Sequence, residues 1–432
     1  MYPRGNKVFN RKGYYMKKVY IVGIGIGNRD FLHKRAIDVL GKCNVLIGAE
    51  RMLDSFAYLE KESYTSSDSK SIYEYIKKSS HSIFGVLVSG DTGFYSLSKK
   101  LTELIQDKQE NCEKQENNVE IKLENIPAIS SLQYFTSKLN LSWDNIKYVS
   151  AHGRKLNIIS NVAFNEKLFI LTDNEMNPSN ICEILKSKGL GNLKVSIGEN
   201  LSYDNEMIVE DKAANIIGMK FAGLSVMIIH NDEPINKENI YRSIGDWEFI
   251  TGSAPMTKSE VRTVSVGKLH LKDDFIVYDI GAGTGSVSIE AALKLSNGTL
   301  YAIEKSEETC TLIRENINKF KTYNVEVINN NAPEGLEELP APDACFIGGS
   351  GGNMEKIIAV LLEKNPSVRV VINAITLESL NEALECMKKY GFKDVEIACV
   401  SISKAKELGR YHMMMAQNPI YMISGSGNRY DS

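Results

Sequence analysis

Residues 277–289 read VYDIGAGTGSVSI, an apolar run that leads into three glycines at alternate positions. The run predicts a buried strand and the residues after it a helix, which places the glycines at a strand–helix turn. Glycine permits a tight turn there and lets backbone N–H groups approach a ligand closely. Asp279 stands just before the glycines, and Glu304 ends the next predicted strand, where its carboxylate can accept ribose hydroxyls. This D-x-G-x-G-x-G pattern favours S-adenosylmethionine (SAM) over a dinucleotide, whose fingerprint is G-x-G-x-x-G.

A second glycine-rich loop follows another apolar run at residues 19–30, VYIVGIGIGNRD. The two loops are not copies of each other, so they indicate two different α/β folds in one chain. A length of 432 residues also predicts more than one domain. We predict a lead at residues 1–16, a two-lobed domain at 17–231, a polar linker at 232–245 and a Rossmann-like domain at 246–432.

Periodicity predicts strands and helices on both sides of the linker. Before it, the predicted strands are residues 18–25, 45–47, 85–89, 119–123, 168–171, 194–198 and 225–229, with helices at 30–41 and 179–188 and a polar loop at 106–118. After it, the predicted helices are 257–269, 286–295 and 307–320, with strands at 275–280, 299–304, 325–329, 344–347 and 369–373. The run Met413, Met414 and Met415 is expected to lie in a buried strand.

Composition narrows the class of ligand. The chain has 51 basic and 54 acidic residues and a net charge of -3, which does not favour a binder of nucleic acid or of a membrane surface. The cysteines are scattered without zinc-type spacing, so we expect no metal site and a reduced, cytoplasmic protein. A small molecule held in a cleft is the expected ligand.

The part after the linker resembles the decarboxylating cobalt-precorrin-6B C-15 methyltransferase family of corrinoid synthesis. The motifs that carry the resemblance are the glycine loop and residues 246–263 (DWEFITGSAPMTKSEVRT), 329–334 (NNNAPE), 343–353 (DACFIGGSGGN) and 371–380 (VINAITLESL). One departure is Asn331, which stands where most relatives have Asp; an Asn can still hydrogen-bond adenine.

This resemblance implies roles for particular residues. SAM would lie against Thr257, Gly281, Ala282, Gly283, Thr284, Gly285, Glu304 and Ala332. The substrate would meet Arg262, Gly349 and Arg410, and Lys258 and Glu260 are candidates for the proton donor in decarboxylation. A structural interpretation also stays open, in which Thr257 and Glu260 form a capping box at a helix start.

The part before the linker resembles the tetrapyrrole (corrin/porphyrin) methyltransferase family. Its motifs are residues 23–28 (GIGIGN), 90–96 (GDTGFYS) and 127–131 (PAISS), and residues 48–51 (GAER), 150–154 (SAHGR) and 198–202 (GENLS) resemble the C-5 methyltransferases that act on cobalt-precorrin-7. Ile26 and Thr92 replace prolines of the family, and Ala128 replaces a glycine. Ala128 therefore puts a positive φ at that position in question.

Here too the resemblance assigns residues. SAM would lie near Ile26, Ser89, Gly90, Asp91, Phe94, Ser130, Ser131, Thr172 and Asn200. His152 would face the substrate as a candidate catalytic residue, or would only bond local backbone. Arg154 would bind substrate carboxylates, for which a guanidinium is well suited. Arg51 would serve likewise, or would be a solvated residue at a helix start.

In this order on one chain, the two parts resemble fused C-5,15-methyltransferases (decarboxylating) of cobalamin biosynthesis. The resemblance implies two SAM sites and a precorrin or cobalt-precorrin methylated at C-5 and C-15, with decarboxylation of the ring C acetate. We also expect a homo-oligomer and no nucleic-acid or membrane partner.

Two other interpretations stay open. A two-domain NAD-dependent oxidoreductase would need a His or Tyr placed for hydride transfer, which is not found near either loop. An RNA or protein methyltransferase with an N-terminal binding module would need a basic face or an aromatic stacking platform, of which the charge balance gives no sign.

Overall fold

The computed structural model describes residues 15–110, 119–152 and 156–428. These residues form three larger β-sheets and one two-stranded hairpin. The first two sheets precede the predicted linker and the third follows it, in a mixed α/β architecture as the sequence predicts. Most of the predicted lead, residues 1–14, lies outside the described residues, and the first strand begins at Tyr15.

The first sheet has five parallel strands in the order β3-β2-β4-β1-β5. Its elements are β1 (Tyr15–Gly23), α1 (Lys34–Lys42), β2 (Val45–Gly48), α2 (Glu50–Asp54), β3 (Glu62–Thr65), α3 (Ser69–Lys78), β4 (Ile83–Val88), α4 (Leu97–Glu110) and β5 (Val119–Ile126). Alternate residues of β1 enter two different cores, Val19 and Ile21 on one face and Tyr20 and Val22 on the other. A strand buried on both faces explains why its sequence is a continuous apolar run.

The second sheet is mixed, in the order β6-β7-β10-β8-β9. Its elements are α5 (Ser131–Lys138), β6 (Lys147–Ser150), α6 (Ile158–Phe164), β7 (Lys167–Leu171), α7 (Pro178–Ser187), β8 (Lys194–Glu199), β9 (Met207–Lys212), α8 (Ala213–Ile216) and β10 (Ser225–His230). The strands β6 and β7 run parallel, whereas β10 is antiparallel to both β7 and β8. This sheet forms the second lobe of the first half.

The third sheet has seven strands in the order β13-β12-β11-β14-β15-β19-β16. Its elements, with the preceding helix and the hairpin, are α9 (Glu238–Tyr241), α10 (Ser259–Lys268), β11 (Ile276–Ile280), α11 (Ser286–Ala292), β12 (Thr299–Glu304), α12 (Glu307–Phe320), β13 (Val325–Asn329), β14 (Ala344–Ile347), α13 (Met354–Lys364), β15 (Arg369–Ala374), α14 (Leu377–Lys389), β16 (Lys393–Val400), β17 (Ser403–Leu408), β18 (Tyr411–Ala416) and β19 (Ile420–Ser426). The strand order reverses between β11 and β14, and a ligand crevice is expected at the carboxyl ends of strands at such a point.

The predicted linker is not a free spacer. It contains α9, and Ile235 and Ile244 are 2% and 0% exposed. Both isoleucines share one core with Phe164 of α6 and with Leu295 and Leu300 of the second half. Although the linker is mostly polar, its two buried isoleucines therefore belong to the core that joins the two halves.

Two other expectations are wrong in part. The predicted loop at 106–118 is helical as far as Glu110, because Leu101 and Ile105 of α4 are buried in the core; residues 111–118 lie outside the described part of the chain. The run Met413–Met415 does form a strand, β18, but all three side chains are exposed. Strand β18 pairs with β17 alone, so the hairpin presents these methionines to solvent.

Across the described ranges, no helix combines the length and the apolarity that crossing a bilayer requires.

Candidate functional sites

A cleft of about 280 Å³ opens at the carboxyl ends of β11, β12 and β14. Its lining residues are Pro255, Ile280, Gly281, Gly283, Ile303, Glu304, Lys305, Thr309, Asn330, Asn331, Ala332, Gly348, Gly349, Ser350 and Gly351. The cleft lies where the strand order reverses, and it is called the C-terminal cleft below.

The glycine loop of this cleft has no room for side chains at two positions. Gly281 has φ +71°, and a Cβ there would lie 2.7 Å from the carbonyl oxygen of Gly349. Gly283 has φ +54°, and a Cβ there would lie 2.5 Å from the carbonyl oxygen of Pro255. The loop is thus held between the backbone after β14 and the backbone before α10, so neither position tolerates another residue without displacement.

Glu304 is fixed at the end of β12 by two backbone donors. Its carboxylate accepts the Gly283 N–H at 3.1 Å and the Ser306 N–H at 3.2 Å. An ionised carboxylate offers about four acceptor positions, so capacity remains for the hydroxyl groups of a ligand.

Asp279 supports the loop from beneath. It is 1% exposed, accepts a hydrogen bond from the Ser288 hydroxyl, and does not line the cleft. Burial raises the pKa of its carboxyl group to about 7. Its Oδ1 atom has no hydrogen-bond partner among the described residues.

The structure separates the predicted SAM residues of this half into two groups. Lining the cleft are Gly281, Gly283, Glu304 and Ala332, with Gly349 from the predicted substrate residues. Not lining it are Thr257, Ala282, Thr284 and Gly285. Thr284 is 1% exposed, and a Cβ on Gly285 would contact Ile313, so these two face the domain interior.

Sequence reasoning overlooked Pro255, Asn330 and Thr309, which also line the cleft. Pro255 lies in the quoted motif before α10, but the glycine pattern gives no signal that its carbonyl faces the loop. Only the folded chain brings it there.

Arg262 cannot bind the substrate as expected, because its side chain is 0% exposed. It donates to Glu290 at 2.8 Å, to Asp246 at 3.2 Å and to backbone carbonyls, and it stacks over the Phe249 ring. All of this lies inside the domain. The sequence pattern of a motif arginine does not distinguish such an internal pair from a substrate contact.

The helix start near the cleft also differs from expectation. The residue preceding α10 is Lys258, whose side chain makes no capping bond, so the predicted Thr257–Glu260 capping box is absent. Glu260 is exposed and pairs with Lys404 at 2.9 Å, and this pairing lowers the pKa of its carboxyl group. Its carboxylate is directed to the β17–β18 hairpin, and Glu260 does not line the cleft. Lys258 is exposed and does not line the cleft either, so both residues stay candidates for the proton donor.

Arg410 lies at the turn of the β17–β18 hairpin, with its guanidinium 5.2 Å from the centre of the Tyr411 ring. It is exposed and does not line the C-terminal cleft.

A second cleft, of about 410 Å³, lies between the first and second sheets. Its lining residues are Ile24, Gly25, Ile26, Gly27, Arg51, Met52, Ser55, Ser89, Gly90, Phe94, Tyr95, Ser131, Ser150, His152, Leu171, Thr172, Leu201, Tyr203, Gly223, Leu224, Ser225 and Val226. It is called the N-terminal cleft below. Its volume is within the range of small-molecule sites.

The loops of the two lobes are tied together across this cleft. The Ser202 hydroxyl of the second lobe donates to the carbonyl of Ile26 of the first lobe at 3.0 Å. Within the first lobe, Gly25 forms a bridge with Gly90. Gly27 has φ +110°, and a Cβ there would overlap the Tyr203 hydroxyl. The glycine is required because Tyr203 lies directly over the loop.

Asp91 acts between loops rather than as a wall of the cleft. Its carboxylate accepts the Ala128 N–H at 3.0 Å and the Gly93 N–H at 2.8 Å. Ala128 is not among the residues with positive φ, so the alanine that replaces a family glycine causes no backbone strain. The close contact is at Gly23, where a Cβ would lie 2.9 Å from the Ala128 side chain.

The predicted residues of this half also divide. Lining the cleft are Ile26, Ser89, Gly90, Phe94, Ser131, Thr172 and His152. Not lining it are Asp91, Ser130 and Asn200, and Ser130 instead caps α5. Arg154 lies outside the described residues. Tyr95 and Tyr203 were not assigned to the cleft from the sequence, because the chain brings them together from distant segments. Arg51, a sequence candidate for binding substrate carboxylates, lines the cleft as well.

Both clefts are lined chiefly by loop backbone and apolar side chains. The described residues contain no group of three or more His, Cys, Asp or Glu side chains placed to hold a metal ion. Both clefts instead combine backbone groups of glycine-rich loops with apolar walls and a few polar side chains. Such clefts bind and align a small molecule.

Two family models match the chain, one for each half. The model described as "Precorrin methyltransferase domain" matches residues 248–425, and that described as "Tetrapyrrole (Corrin/Porphyrin) Methylases" matches residues 18–217. These matches give no support to the dehydrogenase or to the RNA or protein methyltransferase.

Two named relatives point the same way. A protein of Pyrobaculum calidifontis named probable cobalt-precorrin-6B C(15)-methyltransferase (decarboxylating) is 40% identical over 172 residues, which are 39% of this chain and 88% of that protein. One of the same name from Saccharolobus solfataricus is 42% identical over 175 residues, 40% of this chain and 88% of that protein. Among solved structures, a precorrin-6y C5,15-methyltransferase of Geobacter metallireducens GS-15 is 43% identical over 43% of this chain and 96% of its own, with a TM-score of 0.41.

Proposed function

Because the chain belongs to the precorrin methyltransferase family, we propose that it is a bifunctional SAM-dependent C-methyltransferase of cobalamin biosynthesis. It methylates a precorrin or cobalt-precorrin at C-5 and C-15 and decarboxylates the ring C acetate. The observation that carries the proposal is the presence of two separate clefts, each built on the glycine loop that follows the first strand of its own sheet.

We assign C-15 methylation and decarboxylation to the C-terminal cleft. Its residues fit SAM. Glu304 would accept the ribose hydroxyls, Asn331 and Ala332 would lie at the adenine, and Gly281 and Gly283 would face the remainder with their backbone. Neither glycine has room for a Cβ, so only backbone can face a ligand there. This supports the assignment. The glycines at 348–352 would let a flat macrocycle approach the backbone.

We assign C-5 methylation to the N-terminal cleft. SAM would lie between the lobes against Ile26, Ser89, Gly90 and Thr172. The tie between Ser202 and Ile26 supports this assignment, because it holds both walls of the cleft at a fixed separation. His152 and Arg51 would face the substrate, and Arg51 offers a guanidinium for its carboxylates.

SAM supplies the methyl group, which passes from its sulfonium to a ring carbon by in-line displacement. Such a reaction disperses charge, so the protein has chiefly to align the reactants and exclude water. The apolar walls and backbone-lined loops of both clefts are suited to this task. For decarboxylation the conjugated macrocycle is the electron sink, and Lys258 and Glu260 are the candidates for delivering a proton.

We also propose that the chain forms a homo-oligomer. The exposed hairpin supports this, because Tyr411, Met413 and Met415 present a row of large apolar side chains on one face of β18 that a second copy can cover, and Met414 is exposed on the other face. Light scattering of the purified chain tests it, and a monomeric mass at micromolar concentration would contradict it.

Titration calorimetry with SAM tests the central arrangement. Two SAM molecules per chain are expected, and one per chain for Gly283→Arg, whose side chain would occupy the C-terminal cleft. A stoichiometry of one for the unmodified chain, unaltered in Gly283→Arg, would contradict the assignment of the C-terminal cleft.

A further inference from the structure

We propose that Arg262 and Asn316 are positioning residues that hold residues 244–257 against the glycine loop of the C-terminal cleft. This segment is called the strap below. The inference rests on the proposed function of that cleft. Neither side chain lines the cleft, and both are 0% exposed, so any effect on the reaction must pass through the strap.

Arg262 holds both ends of the strap. Its Nη2 donates to the carbonyl of Ile244 at the beginning, and its Nη1 donates to the carbonyl of Thr257 at the end, the latter at 2.6 Å. Its Nη1 also reaches Asp246 at 3.2 Å. A planar guanidinium has donors in a rigid fork, so it sets the two ends of a segment at one separation and orientation.

Glu290 of α11 balances the charge of Arg262. Its Oε1 accepts from Arg262 Nε at 2.8 Å and from the Ile244 N–H at 2.9 Å. The carboxylate therefore joins the helix that follows the glycine loop to the beginning of the strap. The Phe249 ring, itself 5% exposed, covers the guanidinium with its centre 4.7 Å away.

Asn316 of α12 holds the middle of the strap. Its Oδ1 accepts the Ile250 N–H at 2.9 Å, and its Nδ2 donates to the Ile250 carbonyl at 3.0 Å. The same Nδ2 donates to the carbonyl of Thr284, within the glycine loop, at 3.0 Å. One buried amide therefore connects strap and loop directly.

The strap meets the cleft through Pro255. Its carbonyl oxygen accepts the Thr284 N–H at 3.4 Å and occupies the space that a Cβ on Gly283 would need. Pro255 also lines the cleft. A displacement of the strap would thus change both the wall of the cleft and the backbone that faces the ligand.

Apolar residues would fill this space at lower cost, since a buried arginine is expensive unless every donor is paired. What apolar packing does not supply is a single orientation of two chain segments. That is the property a methyl-donor site needs, because small misplacement of reacting atoms costs rate.

The test uses the full chain in an Asp91→Arg background, in which the N-terminal cleft is disabled and SAM binding reports on the C-terminal cleft. Arg262→Lys and Asn316→Ala are compared with matched controls in the same domain. Arg369→Lys changes another buried arginine, which bonds the Lys268 carbonyl, and Asn324→Ala changes another buried asparagine, which bonds the carbonyls of Ala292 and Leu295. Neither control side chain is hydrogen-bonded to the strap among the described residues.

Loss of one buried or charged hydrogen bond costs free energy that corresponds to about a tenfold change in an equilibrium constant. We therefore expect the Kd for SAM to rise about tenfold or more in Arg262→Lys and Asn316→Ala, with KM for SAM rising more than kcat falls. The controls are expected to lower Tm but to leave the Kd within about twofold. An unchanged Kd in folded Arg262→Lys and Asn316→Ala, or an equal rise in the controls, would overturn the proposal.

A measurement on the unmodified chain covers the case in which the variants do not fold. Hydrogen exchange at Ile250 is expected to slow further when SAM is added, because the strap and the cleft are one unit. No change on binding would overturn the proposal. If the Asp91→Arg chain binds no SAM at all, the failure lies with the function proposed for the C-terminal cleft and not with the strap alone.

Discussion

Asn157 donates through its side-chain amide to the carbonyl of Gly298 and to the hydroxyl of Thr299, both at 2.8 Å. Asn157 caps α6, a few residues after His152 of the N-terminal cleft, and Thr299 begins β12, which ends at Glu304 of the C-terminal cleft. A single side chain therefore connects elements that lead to both sites. Two further bonds lie beside it, from Ser160 to the Leu295 carbonyl at 2.7 Å and from Asn161 to Asn297 at 2.9 Å.

Asn157→Ala is predicted to loosen the junction of the halves. It leaves the Gly298 carbonyl and the α6 N-terminus without their partner, which costs about 1–3 kcal/mol. Calorimetry is expected to resolve two unfolding transitions where the unmodified chain shows one. Asn165→Ala is the control, because the Asn165 side-chain amide donates to the Asn161 carbonyl within its own half. A single transition at unchanged Tm in Asn157→Ala would contradict the prediction.

Gly283→Arg is predicted to abolish C-15 methylation and loss of carbon dioxide while sparing C-5 methylation of a suitable acceptor. The positive φ and the Pro255 carbonyl leave no space at this position. Mass spectrometry of the products measures both reactions. Gly267→Ala, at an open position of α10, is the control and should retain both. Carbon dioxide release at the normal rate would refute the assignment of this loop.

Asp91→Arg is predicted to impair C-5 methylation while sparing C-15 methylation and loss of carbon dioxide. The carboxylate that accepts from Ala128 and Gly93 is lost, and the two loops it joins beside the N-terminal cleft separate. C-5 methylation should fall at least about a hundredfold, the order that misplacement of a site costs, while decarboxylation continues. Retention of C-5 methylation would show that this contact does not shape the cleft.

Asp279→Asn is predicted to change how stability depends on pH. Burial raises the folded-state pKa of Asp279 from 3.8 to about 7, so the folded chain favours the neutral carboxyl. The contribution of such a group to the free energy of unfolding is fully present below the unfolded pKa and is lost as pH rises towards the folded value. The asparagine amide of Asp279→Asn stays uncharged at every pH, so the variant does not lose this contribution to the free energy of unfolding.

The free energy of unfolding of Asp279→Asn should therefore increase relative to that of the unmodified chain between about pH 4 and pH 7, by up to roughly 4 kcal/mol. Above pH 7 the difference should stay constant. Urea unfolding across this range measures it. Asp274→Asn, an exposed position before the same strand, controls for the loss of one charge. A difference that does not vary with pH would contradict the assigned pKa.

The glycine loops and the strands before them were predictable because backbone that must approach a ligand requires glycine and a buried strand requires an apolar run. Several elements of the third sheet match the prediction residue for residue, among them β12, α12 and β14. Elements at the edges of the sheets were harder to predict from the sequence. The strand β3 is polar and mostly exposed, so it lacks the apolar signal on which a strand prediction depends.

Roles of individual polar residues were the least predictable. Arg262 and Asp91 stand in motifs that indicate ligand contact, yet their partners are Glu290 and the Ala128 backbone, which lie far from them in sequence. Pro255 gave no signal because its part in the cleft depends on where the strap is held. Burial and partner choice are set by tertiary packing, and no local pattern reports them.

The most direct test is mass spectrometry of cobalt-precorrin-6B after incubation with this chain and SAM. We predict a product with two additional methyl groups and one carbon dioxide fewer. A product with one added methyl group and that loss would contradict the function of the N-terminal cleft. Unchanged cobalt-precorrin-6B, together with an unchanged metal-free precorrin under the same conditions, would contradict the corrinoid function altogether.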